Sequence, residues 1–265
     1  MNYSTISCKI DKAVATVAFN RPEIHNAFNA KVITELTHAF SQIGKSPVRV
    51  AILTGEGKSF CSGADLNWMR SVINQSFEEN LAEATALAEL FYLIYSLRQP
   101  VIARVNGAAI GGGTGFVAVC DLAIAARSAK FSFSEVKIGV VPACIGPYVV
   151  RKIGEGRSRE LFITGERMDA LRAHEVGLVN RVVDDEQLDA AVDDYVRAVL
   201  SSGPEAVAMA KTLIGNVAAM TPEQYKPYTA EMIAQLRISK EGQEGMDAYL
   251  NKRTPSWVPA KKEGK

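Results

Sequence analysis

The chain has little of what several dedicated chemistries require. Its three histidines, His25, His38 and His174, fall in no HxxxH or HExxH spacing, so no metal site is expected. Its four cysteines, Cys8, Cys61, Cys120 and Cys144, form no CxxC pair and read as buried free thiols rather than as a disulfide framework or a nucleophile. Thirty Lys and Arg stand against 29 Asp and Glu, and the resulting charge of +1 leaves no bulk field for nucleic acid or an anionic membrane. No apolar run reaches the roughly 18 residues that a spanning helix needs. Met1 to Phe19 lacks the basic start and continuous apolar core of a secretory leader, which makes a cytoplasmic protein the expectation.

What is present is an ordinary globular composition, 48% hydrophobic and 22% charged over 265 residues, enough for one large domain with a helical extension. Thr5–Ile10 and Val14–Phe19 read as a hairpin. Ala30–Ile43 has helical spacing through Val32, Leu36 and Phe40, Arg49–Thr54 reads as a buried strand, and Phe77–Leu97 as a long helix stopped by Pro100. Strand Val101–Val105, a glycine loop, a short apolar helix to Cys120 and strand Leu122–Ala126 follow. This alternation predicts an α/β fold with largely parallel strands. Beyond Gly154 the patterns turn helical, with Leu188–Val199, Pro204–Val217 and a third segment from Pro222 towards Leu250, bent around Pro227. The division is drawn as 1–200 and 201–265, the second part carrying apolar helix faces that need a partner, and the polar end Lys261–Lys265 is expected to fray.

The densest signal is Gly107-Ala-Ala-Ile-Gly111-Gly112-Gly113-Thr114-Gly115, directly behind an apolar strand. Glycines in such number let the backbone approach a ligand and leave amide N–H groups free to donate. Tight packing of a helix on a strand is the alternative. A dinucleotide site is another, because Gly113-Thr-Gly115-Phe-Val-Ala118 matches GxGxxA and Glu135 lies twenty residues past Gly115. Against it, the loop comes a hundred residues into the chain and no second nucleotide-binding half follows. A Walker A loop fails, since no Gly-Lys-Ser/Thr occurs in the cluster. Glu135, flanked by Phe131, Phe133, Val136 and Ile138, reads as a carboxylate of raised pKa if it meets the glycine loop, and as a solvated strand-end glutamate if it does not. The loop Lys58–Leu66 turns tightly at Gly63 and either aims an amide into a cleft or merely caps a helix with Asp65.

Taken in order along almost the whole chain, Asn20-Arg21-Pro22 with Asn26-Ala27, Phe60–Leu66, Asn106–Gly113, Cys120-Asp121, Phe131–Pro142 and the closing Glu241–Arg253 resemble the crotonase family, the enoyl-CoA hydratases and isomerases. The resemblance implies a crotonase-like spiral of ββα units with a helical C-terminal trimerisation region, assembled as a homo-trimer or a hexamer of two trimers. It implies acyl-CoA thioester substrates, coenzyme A being part of the substrate and no separate cofactor being needed. By motif, the N–H groups of Ala64 and Gly112 form the oxyanion hole and Glu135 is the acid/base. Ala27, Ala64, Asp65, Leu66, Gly112 and Gly115 line the substrate, and Tyr249 and Lys252 match positions that contact coenzyme A, in this subunit or a neighbouring one.

One position departs from the pattern. Hydratases of the family carry a second glutamate where this chain has Gly115. A lone carboxylate suits isomerases, which shift a double bond by removing and returning one proton. Finer resemblance, in Ala64–Arg70, Gly113–Gly115 and Phe133–Tyr148, is to the bacterial branch that hydrates methylglutaconyl-type thioesters, in which glycine also stands here. On that resemblance hydration of a branched enoyl thioester is favoured, Gly115 being expected to free volume for the branch. Arg70 then faces a distal substrate carboxylate or is a solvated helix residue. A non-catalytic acyl-CoA-binding or RNA-binding relative is the remaining class, disfavoured by the near-zero charge and by Glu135.

Overall fold

The computed structural model describes residues 3–259, so the end expected to fray lies outside it. β1 (Ile6–Asp11) and β2 (Val14–Phe19) form the predicted antiparallel hairpin. α1 (Ala30–Gly44) starts at Asn29, whose side chain accepts from the amides of Lys31 and Val32, and it buries Val32, Leu36 and Phe40 as the spacing requires.

A repeated unit follows three times. β3 (Val50–Gly55) leads into β4 (Ser59–Cys61), then α2 (Leu66–Val72) and α3 (Phe77–Ser96). β5 (Val101–Val105) leads into β6 (Ala108–Ile110) and α4 (Gly112–Val119). β7 (Leu122–Ala126) leads into β8 (Lys130–Ser132) and a single tight turn, Ser134–Ile138, before α5 (Gly146–Ile153) and α6 (Glu155–Thr164). β9 (Arg167–Asp169), α7 (Ala170–Glu175) and β10 (Arg181–Val183) complete the core. The first strand of each unit enters a six-stranded sheet, β1-β2-β3-β5-β7-β10, parallel from β2 onwards. The second strand enters a four-stranded sheet, β4-β6-β8-β9, parallel except for β9. This is the ββα spiral.

Both faces of the large sheet are covered, so its strands read as unbroken apolar runs. Along β3, Ala51 and Leu53 join the main core with Phe40, Phe91 and Phe116, while Val50 and Ile52 join a second cluster beneath α8 (Leu188–Ser201) through Leu188, Val192 and Val196. Cys61 and Cys120 are buried, and burial pushes their thiols up to about 12, which makes them inert packing groups. Cys8 and Cys144 are only half-buried, against the expectation that all four would be enclosed.

α9 (Pro204–Val217), α10 (Pro222–Ile238) and α11 (Lys240–Leu250) close the described chain. α10 runs on through Pro227, and the break between α10 and α11 falls at Ser239. The Ser239 hydroxyl accepts from Gly242 N at 3.0 Å, and a Cβ on Gly242 would stand 1.9 Å from the Leu236 carbonyl oxygen. A capping hydroxyl and a residue without a side chain set the turn. Beyond Gly203 the buried apolar side chains among the described residues are Ala208, Met232 and Ala248, whereas Ile214, Ile233, Ile238 and Leu250 are exposed. No helix among the described residues is long and apolar enough to cross a membrane.

The start of the chain is held by one carboxylate. Glu35 on α1 accepts from the amides and hydroxyls of Ser4 and Thr5, and these hydrogen bonds, outweighing partial desolvation, bring its pKa down to about 2. A folded-state pKa below the unfolded one gives stability that is fully present above the ordinary carboxylate range and lost as pH falls towards 2. Denaturation midpoints measured between pH 6 and pH 3 should therefore drop less on acidification for Glu35→Gln than for the parent, from a lower starting value.

Candidate active site

The small sheet creates a common edge. Cys61 on β4 pairs with Ala109 on β6, Ala109 pairs with Phe131 on β8, and Ile110 with Ser132. Because these three strands run parallel, with one irregularity between Ser59 and Cys61, and their ends are paired, the segments leaving them lie side by side: Ser62–Asp65, Gly111–Gly112 and Phe133–Glu135. Ligands of α/β sheets bind beyond the carboxyl ends of parallel strands, which is where these segments stand.

The glycines are there because the main chains touch. A Cβ on Gly113 would fall 2.0 Å from the Cys61 carbonyl oxygen, and one on Gly63 2.9 Å from that of Ile110. Gly63 (φ 97°) and Gly111 (φ 54°) also take left-handed conformations that a side chain would strain. Thr114, fully buried in the middle of the cluster, sets its hydroxyl 2.6 Å from Ala109 O and 3.0 Å from Ser132 O, tying α4 to the ends of β6 and β8. The one polar side chain among five glycine-loop positions was the signal for it, and the sequence reading passed over it.

Two amides are left over. Phe28 donates to Gly63 O and accepts from Asp65 N, both at 2.8 Å, so the bridge uses the groups flanking Ala64 and turns Ala64 N–H the other way. Gly112 is the first residue of α4, where a helix amide has no partner of its own. Neither N–H is spent on another backbone group, and both residues are half-exposed within a buried stretch.

Asp65 points inward. It is 6% exposed, makes a 2.8 Å ion pair with Arg21, and caps α2 by accepting from Asn67 N at 2.8 Å. Desolvation works against the carboxylate, but the hydrogen bonds and the Arg21 charge prevail and hold its pKa below the ordinary value. Arg21 also donates to Ala27 O at 2.8 Å, and buried Asn26 donates to the carbonyls of Glu56 and Ser59. Asp65 and Ala27 thus shape the loop under Ala64 through groups already engaged within the protein. Arg21 and Asn26, to which the sequence reading gave no role, complete that support.

Glu135 reaches the glycine loop. A Cβ on Gly111 would lie 3.2 Å from Glu135 Oε1, so the carboxylate rests against the main chain immediately before Gly112. Its Oε2 is buried with no hydrogen-bond partner, and burial raises its pKa, partly offset by its own backbone amide. Phe131 and Phe133 are buried as expected, but Ile138 is exposed, so the desolvation comes from the loops rather than from all four flanking apolar residues.

Gly115 differs from expectation. It frees no volume: a Cβ there would meet Ile145 Cγ2 at 2.1 Å and Phe91 Cζ at 3.3 Å, so the space is filled by another residue. The same burial removes the dinucleotide alternative, since Gly113 and Gly115 face protein and leave a pyrophosphate no approach. Leu66 opens α2 and is 69% exposed beside the edge. Arg70, one turn on, contacts only the side-chain amide of Asn67, and among the described residues no carboxylate pairs with it. Tyr249 lies in the last turn of α11 and Lys252 two residues beyond its end; α11 packs chiefly on α9 and α10, and Tyr249 is 84% exposed. Within this chain they are not brought to the glycine loop by that packing.

A family model described as Enoyl-CoA hydratase/isomerase matches residues 9–260. The crystal structure of a putative enoyl-CoA hydratase/isomerase (crotonase) from Legionella pneumophila is 43% identical, with TM-score 0.91 over 97% of this chain and 100% of that one. An enoyl-CoA hydratase from Shewanella pealeana is 38% identical, with TM-score 0.93 over 96% of each chain. The crotonyl-CoA hydratase of Syntrophomonas wolfei is 33% identical over 97% of this chain and 99% of its own length.

Removing one partner of the enclosed Arg21–Asp65 pair leaves the other charge uncompensated. Asp65→Ala should therefore lower unfolding free energy by about 3–5 kcal/mol in urea titration, far more than a surface substitution on the same loop.

Proposed function

The chain belongs to the enoyl-CoA hydratase/isomerase family, and on that premise we propose that it hydrates a branched enoyl-CoA thioester of the methylglutaconyl type, with Glu135 as its acid/base. The observation that carries this reading is the unpartnered, desolvated carboxylate of Glu135 set against the backbone that precedes Gly112.

In this reading the thioester oxygen accepts from Ala64 N–H and Gly112 N–H. Water then adds at the β-carbon: the new C–O bond forms as the C=C π pair moves towards the thioester and charge collects on its oxygen. Fixed donors at that oxygen strengthen as the charge grows and are worth roughly 3 kcal/mol each. One water proton passes to Glu135 and from there to the α-carbon, giving the 3-hydroxyacyl thioester, while the other stays on the new hydroxyl. A single carboxylate serves both transfers because its two oxygens orient the water and carry the proton in turn. Coenzyme A enters as part of the substrate, and no separate cofactor is invoked.

Arg70 supports a substrate with a distal carboxylate, since among the described residues its charge has no acidic partner and it stands one turn from Leu66. The exposed Ile214, Ile233, Ile238 and Leu250 support burial of the C-terminal helices in a trimer or a dimer of trimers, in which Tyr249 and Lys252 reach the coenzyme A of a neighbouring subunit. A second reading, isomerisation of a 3-enoyl thioester, is favoured by the apolar filling beside Gly115, because one base can move a proton from the α-carbon to the γ-carbon without water.

Assays on 2-enoyl, 3-enoyl and 3-methylglutaconyl thioesters should show loss of conjugation with the last of these; formation of conjugation from the 3-enoyl substrate alone would replace hydration by isomerisation. Glu135→Gln should lower kcat by about 10²–10⁴-fold with thioester affinity retained, and near-normal turnover would remove it as acid/base. The acid limb of the kcat/KM profile should lie above the ordinary carboxylate range, because burial raises the Glu135 pKa and the ionised form is the one that takes the proton. Arg70→Ala should raise KM for the carboxylate-tailed substrate and leave crotonyl thioester unaffected.

A further inference from the structure

Gly111 and Gly115 are one helical turn apart, and the Gly115 amide donates to the Gly111 carbonyl at 3.2 Å. Gly111 is the positive-φ N-cap just before α4, where a Cβ would face the Glu135 carboxylate; at Gly115, four residues on, a Cβ would meet the side chain of Ile145. Ile145 is 2% exposed, immediately precedes α5, and is fixed there by its own carbonyl, which accepts from the amides of Tyr148 and Val149 at 3.1 Å. A β-branched side chain in such a place has little freedom to swing aside.

The 2.1 Å separation makes the two positions mutually exclusive. Even a methyl at position 115 cannot coexist with Ile145 Cγ2 where it stands, and Phe91 closes the other side at 3.3 Å. We propose that Ile145 is a specificity-determining residue: its sec-butyl group occupies the place of any side chain at position 115 and so keeps Glu135 the sole proton carrier beside the reacting carbons. Bulk is supplied from outside the helix, by a hydrocarbon, where a side chain on the helix could have supplied a polar group. This inference rests on the reading of Glu135 as acid/base.

The test is a coupled set made in the full chain: Gly115→Ala, Ile145→Ala, their combination, and Gly115→Glu with and without Ile145→Ala. Gly115→Ala alone should lower Tm by about 2–10 °C, as overpacking of a well-filled core does. Combined with Ile145→Ala it should recover to the Tm of Ile145→Ala alone or above it. Gly115→Glu alone should be the least stable variant. With Ile145→Ala it should fold, and its kcat/KM profile should gain a second acidic ionisation, because a second carboxylate now titrates beside Glu135. A merely structural role for Ile145 would restore Tm and leave the pH profile as in the parent, which would overturn the proposal. So would Gly115→Ala with an unchanged Tm, or double variants no more stable than the Gly115 variants alone. Glu135→Gln run alongside separates the two levels: near-normal turnover there sinks the acid/base reading itself, whereas an inactive Glu135→Gln with uncoupled Gly115 and Ile145 sinks only this inference.

Discussion

Main chain packed directly on main chain is the constraint from which the site follows. Gly113 has the Cys61 carbonyl where its side chain would be, Gly63 has that of Ile110, and Gly107 has that of Lys58 at 2.0 Å. These contacts join β4 to the loop and helix that follow β6, so the first two repeats cannot slide or separate without opening a void in a close-packed core. Amide groups held in this way need no reorganisation to meet a developing charge, and that rigidity is what makes backbone donors effective. The same contacts explain why the cluster holds so many glycines: each one faces protein, and on the proposed function the thioester meets the N–H groups that remain.

Charge is arranged around α4 to suit that role. Its first residue, Gly112, leaves the positive end of the helix open at the sheet edge. At the other end, half-buried Lys152 donates to Cys120 O at 2.6 Å and approaches the carbonyls of Ala118 and Val117 at 3.3 and 3.4 Å. A cation there satisfies the terminal carbonyls and complements the dipole, although burial holds the Lys152 pKa below its ordinary value. Nearby, Asp121 takes Lys211 and the Val101 amide, so the far end of the helix is fully compensated. The open end is the one that faces Glu135, whose buried Oε2 has no hydrogen-bond partner and whose pKa is raised by burial.

Much of this could be read from residue order. β2, β3, β5 and β7 are long apolar runs, and α1, α3, α8 and α9 carry the expected spacing, so periodicity found them. β4, β6, β8 and β9 are three-residue strands, too short to show a period, and β4 and β6 sit among the glycines and serines that normally announce loops. Missing them hid the small sheet, and with it the physical reason why Ala64, Gly112 and Glu135 share an edge. Their association came from resemblance, while the parallel register explains it. What no local pattern could carry was Ile145. Its relation to Gly115 spans thirty residues of intervening chain and exists only because α5 packs on α4. Gly115 therefore looked like freed volume when it is the accommodation of a neighbour.

That difference separates the parts of the fold that can vary from those that cannot. The amides proposed to bind the thioester oxygen come from the first two repeats, where side chains added at Gly63, Gly107 or Gly113 would collide with carbonyls. The proposed proton carrier and the hydrocarbon of Ile145 come from the third repeat, where Glu135 rides on a single tight turn and Ile145 on the entry to α5. A side-chain change in this second group alters polarity and volume next to the reacting carbons without disturbing the main-chain contacts of the first. On the proposed function, the first group stabilises an enolate-like thioester whatever follows, and the second decides which proton moves and whether water is present to receive the carbon. On that reading, hydration and isomerisation are exchanged where the loop before α4 meets Glu135 and where Gly115 meets Ile145, because there the fixed and the variable groups touch.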